Sequence, residues 1–296
     1  MERLKRGDSN RINREYLETL MIEQRLIGSE LPDMQTEIFG KTFATPVMNA
    51  AFSHINNSIP DGAALMAKGF YEAGALNWWG FCPDEEFEGI LNTSADTIRV
   101  IKPFADEERI FHEIEFAVSH GAFAVGMDID HVFNRKGDYD VVLGDQMGAK
   151  SFEQICSYVK AAGDVPFVMK GVLSTADARL CIEAGVRGIV VSHHHGIYDY
   201  AVPPLKILPS IKEVVKDRMM IFVDCGMESA SDIFKALALG ADAVCVSSSM
   251  VEVLHEGGSE AVTEKVKMIT KELASIMGRT GFRKVSDIDK SVIWSL

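Results

Sequence analysis

Residues 165–196 read VPFVMKGVLSTADARLCIEAGVRGIVVSHHHG. Two short apolar runs rich in Val and Ile flank a segment that opens on Ser174 and stops at Gly185. Runs of this length and composition suit strands buried on both faces, and Ser before and Gly after an amphipathic segment mark the ends of a helix. The stretch therefore predicts a strand, a helix and a second, parallel strand. In such a unit the residues just past each apolar run emerge together at one rim, which is where catalytic groups collect in barrels. Lys170 and His194 occupy that position, and so does Asp224 after the later run in MMIFVDCG.

Outward from this unit the same alternation continues. Strands are expected at Ala44–Ala50, Ala75–Gly80, Thr97–Phe104, Ala122–Asp130, Pro166–Val172, Gly188–His194, Met219–Gly226 and Ala243–Ser248. Helical periodicity fills the intervals, including a short helix in DEEFEGILN and a last one from Ser259 to Met277. Eight such units predict a (β/α)8 barrel over residues 44–296, a TIM barrel, preceded by an N-terminal helical lead over residues 1–43. The lead is expected to pack on the barrel's lower face or on a neighbouring subunit. A doubly wound open sheet is the rival, and no G-x-G-x-x-G opens a helix to support it. The connection Asp130–Lys150 is long for its type and reads as a lid or binding segment.

A chain of 296 residues suits one barrel of ~250 residues with an extension. The hydrophobic share of 47% is enough for a large core, and no run approaches the ~18 apolar residues of a membrane span. The opening MERLKRGDSNRINREY has no apolar core of a secretory signal, so the reading is a cytoplasmic protein. A formal net charge of -13 repels nucleic acid and anionic membrane alike, which leaves a small molecule as the expected partner. The five cysteines show no C-x-x-C spacing and suit burial better than a disulfide framework or a zinc site.

Taken together, residues 168–196, PPLKILPSIKEVV (203–215) and VDCGMESASDIFKALALGADAV (223–244) resemble the FMN-dependent 2-hydroxy acid dehydrogenases and oxidases, the family of glycolate oxidase and lactate oxidase. At lower similarity the resemblance runs from TEIFGKTFATPVMNA (36–50) to KELASIMGRTGFRKVSDID (271–289). It implies a homo-oligomeric FMN oxidoreductase that passes hydride from substrate to flavin. Lys170 matches the lysine beside the flavin N1/O2 edge, where its charge favours the anionic reduced ring. His194 matches the base, and Asp130 the carboxylate that holds it. Asp128 lies two residues earlier, on the same face of a strand; the resemblance selects Asp130. Ser192, Asp224, Gly226, Ser247 and Ser248 fall on the cofactor-binding segments.

The departures bear on substrate and cofactor. Where the family has an Arg for the substrate carboxylate this chain has Ile197, which cannot form a bidentate ion pair. The expected substrate is thus a small hydroxy compound other than a plain 2-hydroxy acid. The family's Gln-Leu-Tyr reads Val100-Ile101-Lys102, and Lys102 becomes a candidate substrate anchor alongside His194. The phosphate-binding Gly-Gly-x-Arg reads Cys225-Gly226-Met227-Glu228, leaving backbone N–H groups and the hydroxyls of Ser247, Ser248 and Ser249 as donors. Trp78 and Trp79 end the second strand, one expected to face the helices and the other to wall the pocket.

His193, His194 and His195 invite a metal site, but consecutive strand residues point to alternate sides, so no metal is assigned. Two other readings follow from the departures: a flavin-free isomerase or lyase using Lys170 and His194, and a non-catalytic barrel that binds a metabolite.

Overall fold

The apolar runs form strands because their β-branched and aromatic residues can be buried on both faces of a closed sheet. In the structure, a computed structural model describing residues 7–246 and 249–296, the strands are β1 (Val47–Asn49), β2 (Asn77–Trp79), β3 (Thr97–Ile101), β4 (Ala124–Asp128), β5 (Phe167–Lys170), β6 (Gly188–Val191), β7 (Met220–Val223) and β8 (Ala243–Val246). They pair in parallel from β2 through β8 and on to β1. At the remaining seam Asn49 N–H donates to the Leu76 carbonyl at 3.3 Å and Gly80 N–H to that of Phe52 at 2.7 Å. This is the expected (β/α)8 barrel.

The helices are α1 (Ser9–Thr19), α2 (Gly62–Glu72), α3 (Asp84–Leu91), α4 (Glu107–Ser119), α5 (Phe152–Ala162), α6 (Thr175–Glu183), α7 (Pro204–Val215), α8 (Ala230–Ala238) and α9 (Ser249–Thr280). Ser151, Ser174 and Ser229 cap α5, α6 and α8, each accepting from the backbone N–H three residues on. Non-helical dihedrals at Gly257 and Gly258 break α9 just before Ser259, where the sequence periodicity begins.

Side chains alternate along each strand. Met169, Ile189, Ile221 and Val223 face the helices, while Met48, Trp78, Val168, Val190 and Phe222 fill the barrel interior. Trp78 stands edge-on to Phe222 with ring centroids 5.2 Å apart, and Trp79 faces outward, its indole N–H donating to Glu86 at 3.0 Å. Trp78 is therefore interior core and not a wall of the pocket: its strand position points it inward, one layer below the rim.

The lead behaves differently from expectation in two ways. Residues Thr36–Ile38 and Lys41–Phe43 form an antiparallel hairpin, not a helix. Its Ile38 and Phe43 close the barrel floor within the interior cluster. The helical part, α1, covers the opposite, upper rim. Asn10 donates to the His195 carbonyl at 3.0 Å and Asn13 to that of Cys225 at 2.9 Å. Arg14 forks onto Asp232 at 2.7 and 3.1 Å. The lower face was the wrong place for α1: besides burying Leu17 in the core it is held by polar side chains, and the rim is where loop carbonyls and a helix-start carboxylate lie open to such partners. After α1 the chain pairs Leu20–Ile22 antiparallel with Ile293–Ser295. Among the described residues no helix is long and apolar enough to cross a membrane.

Candidate active site

The inward face of the strands continues past the apolar layers into a charged one. Val100, Val168 and Phe222 lie in the interior cluster. Two residues further on are Lys102, Lys170 and Asp224, and Asp128 stands two beyond Gly126. Lys170 and Asp128 are register partners on β5 and β4. All four side chains are buried, and they neutralise one another: Asp128 accepts from Lys102 at 2.7 Å and from Lys170 at 3.1 Å, and Lys170 lies 3.6 Å from Asp224. Burial alone would raise the Asp128 carboxyl, but Lys102, Lys170 and His194 hold it well below the ordinary carboxylate range. Burial likewise opposes the charge of Lys170, and Asp128, Asp224 and Asp130 overrule it, keeping the ammonium protonated.

His194 lies just beyond β6, in the left-handed region at φ 48°, with its N–H donating to Ser192 Oγ at 3.0 Å. Its Nδ1 is 2.9 Å from Asp130 Oδ1 and 3.4 Å from Asp128 Oδ1. With Nδ1–H donated to a carboxylate, the neutral ring keeps its basic lone pair on Nε2. Burial lowers the imidazole's affinity for a proton and Lys170 lowers it further, yet Asp128 and Asp130 prevail and bring its pKa to about 9. Asp130 can lie so close to β5 because Gly171, at φ 91°, has no side chain: a Cβ there would stand 2.4 Å from Asp130 Cγ.

Asp128, Asp130 and His194 offer ligand atoms within 4.8 Å of one another. Lys102 and Lys170 already supply the counter-charge to Asp128, and a divalent ion would have to share it with them.

A hollow of about 220 Å3 opens beside this cluster, lined by Ala50, Ala51, Lys170, His194, Asp224 and Gly226 among others. These residues suit a flavin: small side chains leave room for a flat ring, a fixed ammonium in the wall would stabilise negative charge on a reduced ring, and Gly226 at φ 75° presents backbone without a side chain. Cys225 shares the left-handed conformation at φ 70°, and its thiol donates to Asp224 at 2.9 Å. Burial and then Asp224 push that thiol far up, so it is no nucleophile. Ser192 is buried, 3.3 Å from the Cys225 sulfur. It does not line the hollow; it supports His194 and Cys225. Glu228, in the position of the missing cation, is exposed. Ser247 and Ser248 lie outside the described residues.

The strand ends thus bring together Lys170, His194, Asp130, Asp224 and Lys102. The residue that sequence reasoning weighed and set aside in favour of Asp130 is Asp128, which touches both lysines and lies 3.4 Å from His194. Its signal was available, since a carboxylate two residues past Gly126 shares the inward face.

A family model described as FMN-dependent dehydrogenase matches residues 2–160 and 143–295. The chain is 24% identical to a 2-hydroxyacid oxidase of Dictyostelium discoideum, over 93% of this chain and 79% of that protein. It is 26% identical to an L-lactate oxidase of Lactobacillus jensenii over 90% and 73%, and 27% identical to a 4-hydroxymandelate oxidase of Amycolatopsis orientalis over 92% and 86%. Among solved structures, a mandelate oxidase mutant with the C4a-OH-FMN adduct superposes with a TM-score of 0.89 at 25% identity, covering 98% of this chain and 92% of that one. Mandelate oxidase with (S)-2-phenylpropionate gives 0.87 at 26% identity, over 98% and 90%.

Proposed function

The chain belongs to the FMN-dependent dehydrogenase family, and from that premise we propose that it oxidises a small hydroxy compound with His194 as the base, Asp130 as its orienting partner and Lys170 beside the flavin. It is an oxidoreductase of the FMN-dependent hydroxy acid oxidase family, with FMN as its cofactor. The flavin-free isomerase or lyase and the non-catalytic barrel give way to this reading.

Bound FMN supplies the two-electron acceptor of the reaction. The chain's own part is acid–base and electrostatic. Nε2 of neutral His194 takes the substrate hydroxyl proton, and the resulting imidazolium is stabilised by Asp130 at 2.9 Å and Asp128 at 3.4 Å. Lys170, fixed by Asp128 and Asp224, holds positive charge on the wall of the hollow. Asp224 and Gly226 line it and would help hold the cofactor; Ser247 and Ser248, outside the described residues, are proposed as further cofactor-binding residues from their place in the sequence. Lys102 is the substrate anchor, donating to Asp128 until an anionic or polar substrate group shares it. Ile197 removes the bidentate anchor for a plain 2-hydroxy acid, so the preferred substrate lacks a free carboxylate next to its hydroxyl or presents it toward Lys102. The reading also makes the enzyme cytoplasmic and homo-oligomeric, which cell fractionation and size-exclusion chromatography check.

The contact between His194 Nδ1 and Asp130, beside a buried Lys170, carries this proposal. The test is the visible spectrum of the purified protein with an FMN titration, followed by His194→Asn. Flavin bands in both proteins, with the variant's kcat for a hydroxy substrate reduced by about 10²–10⁴, are expected. Undiminished turnover in the variant would remove His194 as the base.

A further inference from the structure

His131 follows Asp130 directly in the chain and has no part in the chemistry above, yet it stands against the base. Its ring meets the His194 ring edge-on, at an interplanar angle of 76° with centroids 5.1 Å apart. The contact of His194 Nδ1 with Asp130 fixes one atom of the imidazole and leaves the ring free to tilt about it. The His194 side chain is 25% exposed, and water on that side does not stop the tilt. A second ring set edge-on fixes the plane as well as the point, and with it the direction of Nε2.

The long connection after β4 holds the other end of His131. Its Nδ1 is buried and lies 2.8 Å from Asp140 Oδ2, out of line for a hydrogen bond, so the hold is electrostatic. Asp140 is fixed in turn by its backbone: its N–H donates to the Val132 carbonyl and its carbonyl accepts from the Met147 N–H, both at 2.8 Å. Phe133 stacks on Tyr139 across the same stretch, with centroids 5.5 Å apart. The connection is also pinned to the end of β3, where Ala105 N–H donates to the Gln146 carbonyl and Gly148 N–H to that of Pro103, both at 2.8 Å. A segment paired with itself in this way transmits its position through packed contacts, and the one it makes with His194 passes through His131. Burial, then Lys102 and His194, drive the proton off the His131 ring against the pull of Asp128 and Asp140. The ring facing the base is thus neutral and does not repel the imidazolium that forms there.

We propose that His131 is a positioning residue of this reaction, a strut that carries the placement of the connection 130–150 to the ring plane of His194. The inference rests on His194 being the base.

Methyl lactate, a hydroxy ester with no free carboxylate, is the substrate probe for the full-length, FMN-loaded enzyme, and the His194 ring is followed by NMR in flavin-free protein labelled at histidine. His131→Ala should shift the His194 resonances and lower kcat by about tenfold, within the ~10²-fold that a 1 Å misplacement can cost, while KM stays within about twofold. His131→Phe keeps a ring but not the Asp140 contact, and Asp140→Asn keeps the ring and weakens its hold; each should cost no more than about threefold in kcat. Native resonances and native kcat in His131→Ala, or a His131→Phe as slow as His131→Ala, would overturn the assignment. Should His131→Ala not fold, unmoved His194 resonances in Asp140→Asn would do the same. The resonances do not depend on turnover: if the native enzyme and His194→Asn oxidise methyl lactate equally, the base assignment fails and the strut is judged by the resonances.

Discussion

A methyl group added at Gly171 has nowhere to go except into Asp130, whose Cγ would lie 2.4 Å from it. Gly171→Ala should therefore push the carboxylate away from His194 and let burial and Lys170 regain influence over the ring. His194 is held at a pKa of about 9, and a base works in its unprotonated form. kcat/KM of the native enzyme should accordingly rise with pH to a plateau above about 9, and the variant's rising limb should move to lower pH. An unchanged limb would show that Asp128 alone sets it. The folded-state pKa is raised, so His194 also adds stability that is complete below its unfolded value of ~6.5 and lost as pH climbs through about 9. Lys170→Met leaves Asp128 and Asp224 with one counter-ion fewer in a buried setting and should cost about 3–5 kcal/mol in urea unfolding, together with flavin affinity. At this scale the sequence was informative wherever a residue followed an apolar run by period two, as for Lys170 and Asp224. It was ambiguous between Asp128 and Asp130, because both lie on that face and only the turn after β4 decides which oxygen meets Nδ1.

Helix ends were legible from Ser151, Ser174 and Ser229, whose side chains cap backbone N–H groups as their positions predict. Strand ends were set too late: His194 and Asp130 lie beyond β6 and β4 because polar rim residues turn toward the axis once pairing stops. The placement of α1 was not legible, since its buried face is Ser9, Asn13 and Leu17, too little apolar surface to say which side of the barrel it seeks. Its purpose becomes clear from Asn13 on the Cys225 carbonyl and Arg14 on Asp232, which tie it to the two turns around β7 and α8. Asp232 is left 3% exposed at its side chain, so Arg14→Ala should destabilise the protein by about 1–2 kcal/mol, toward the lower end because Arg14 itself is over a third exposed. Equilibrium urea unfolding measures the loss, and an FMN titration of the same variant should show weaker binding as the Gly226 turn loosens. Arg14→Lys should recover less than half of either effect, because an ammonium cannot form the fork.

The barrel itself was the most legible feature, because eight apolar runs separated by capped helices fit one closed sheet and few other arrangements. How the chain outside the barrel is disposed follows from contacts too distant in sequence to read. Leu20–Ile22 and Ile293–Ser295 form a two-stranded ribbon, braced by the Trp294 indole N–H on Glu23 at 2.7 Å and by Arg25 on the Ser291 carbonyl at 2.6 Å. Deleting residues 293–296 should lower the midpoint of thermal unfolding and speed proteolysis between residues 20 and 35; equal digestion rates would show that the ribbon adds nothing. The ribbon also orders events during synthesis. Its two halves are made roughly 15–50 s apart at ordinary elongation rates, so residues 20–22 stay without their partner while all eight barrel strands are made. The rim contacts of α1 with His195, Cys225 and Asp232 therefore come within a nascent chain's reach before this ribbon can close.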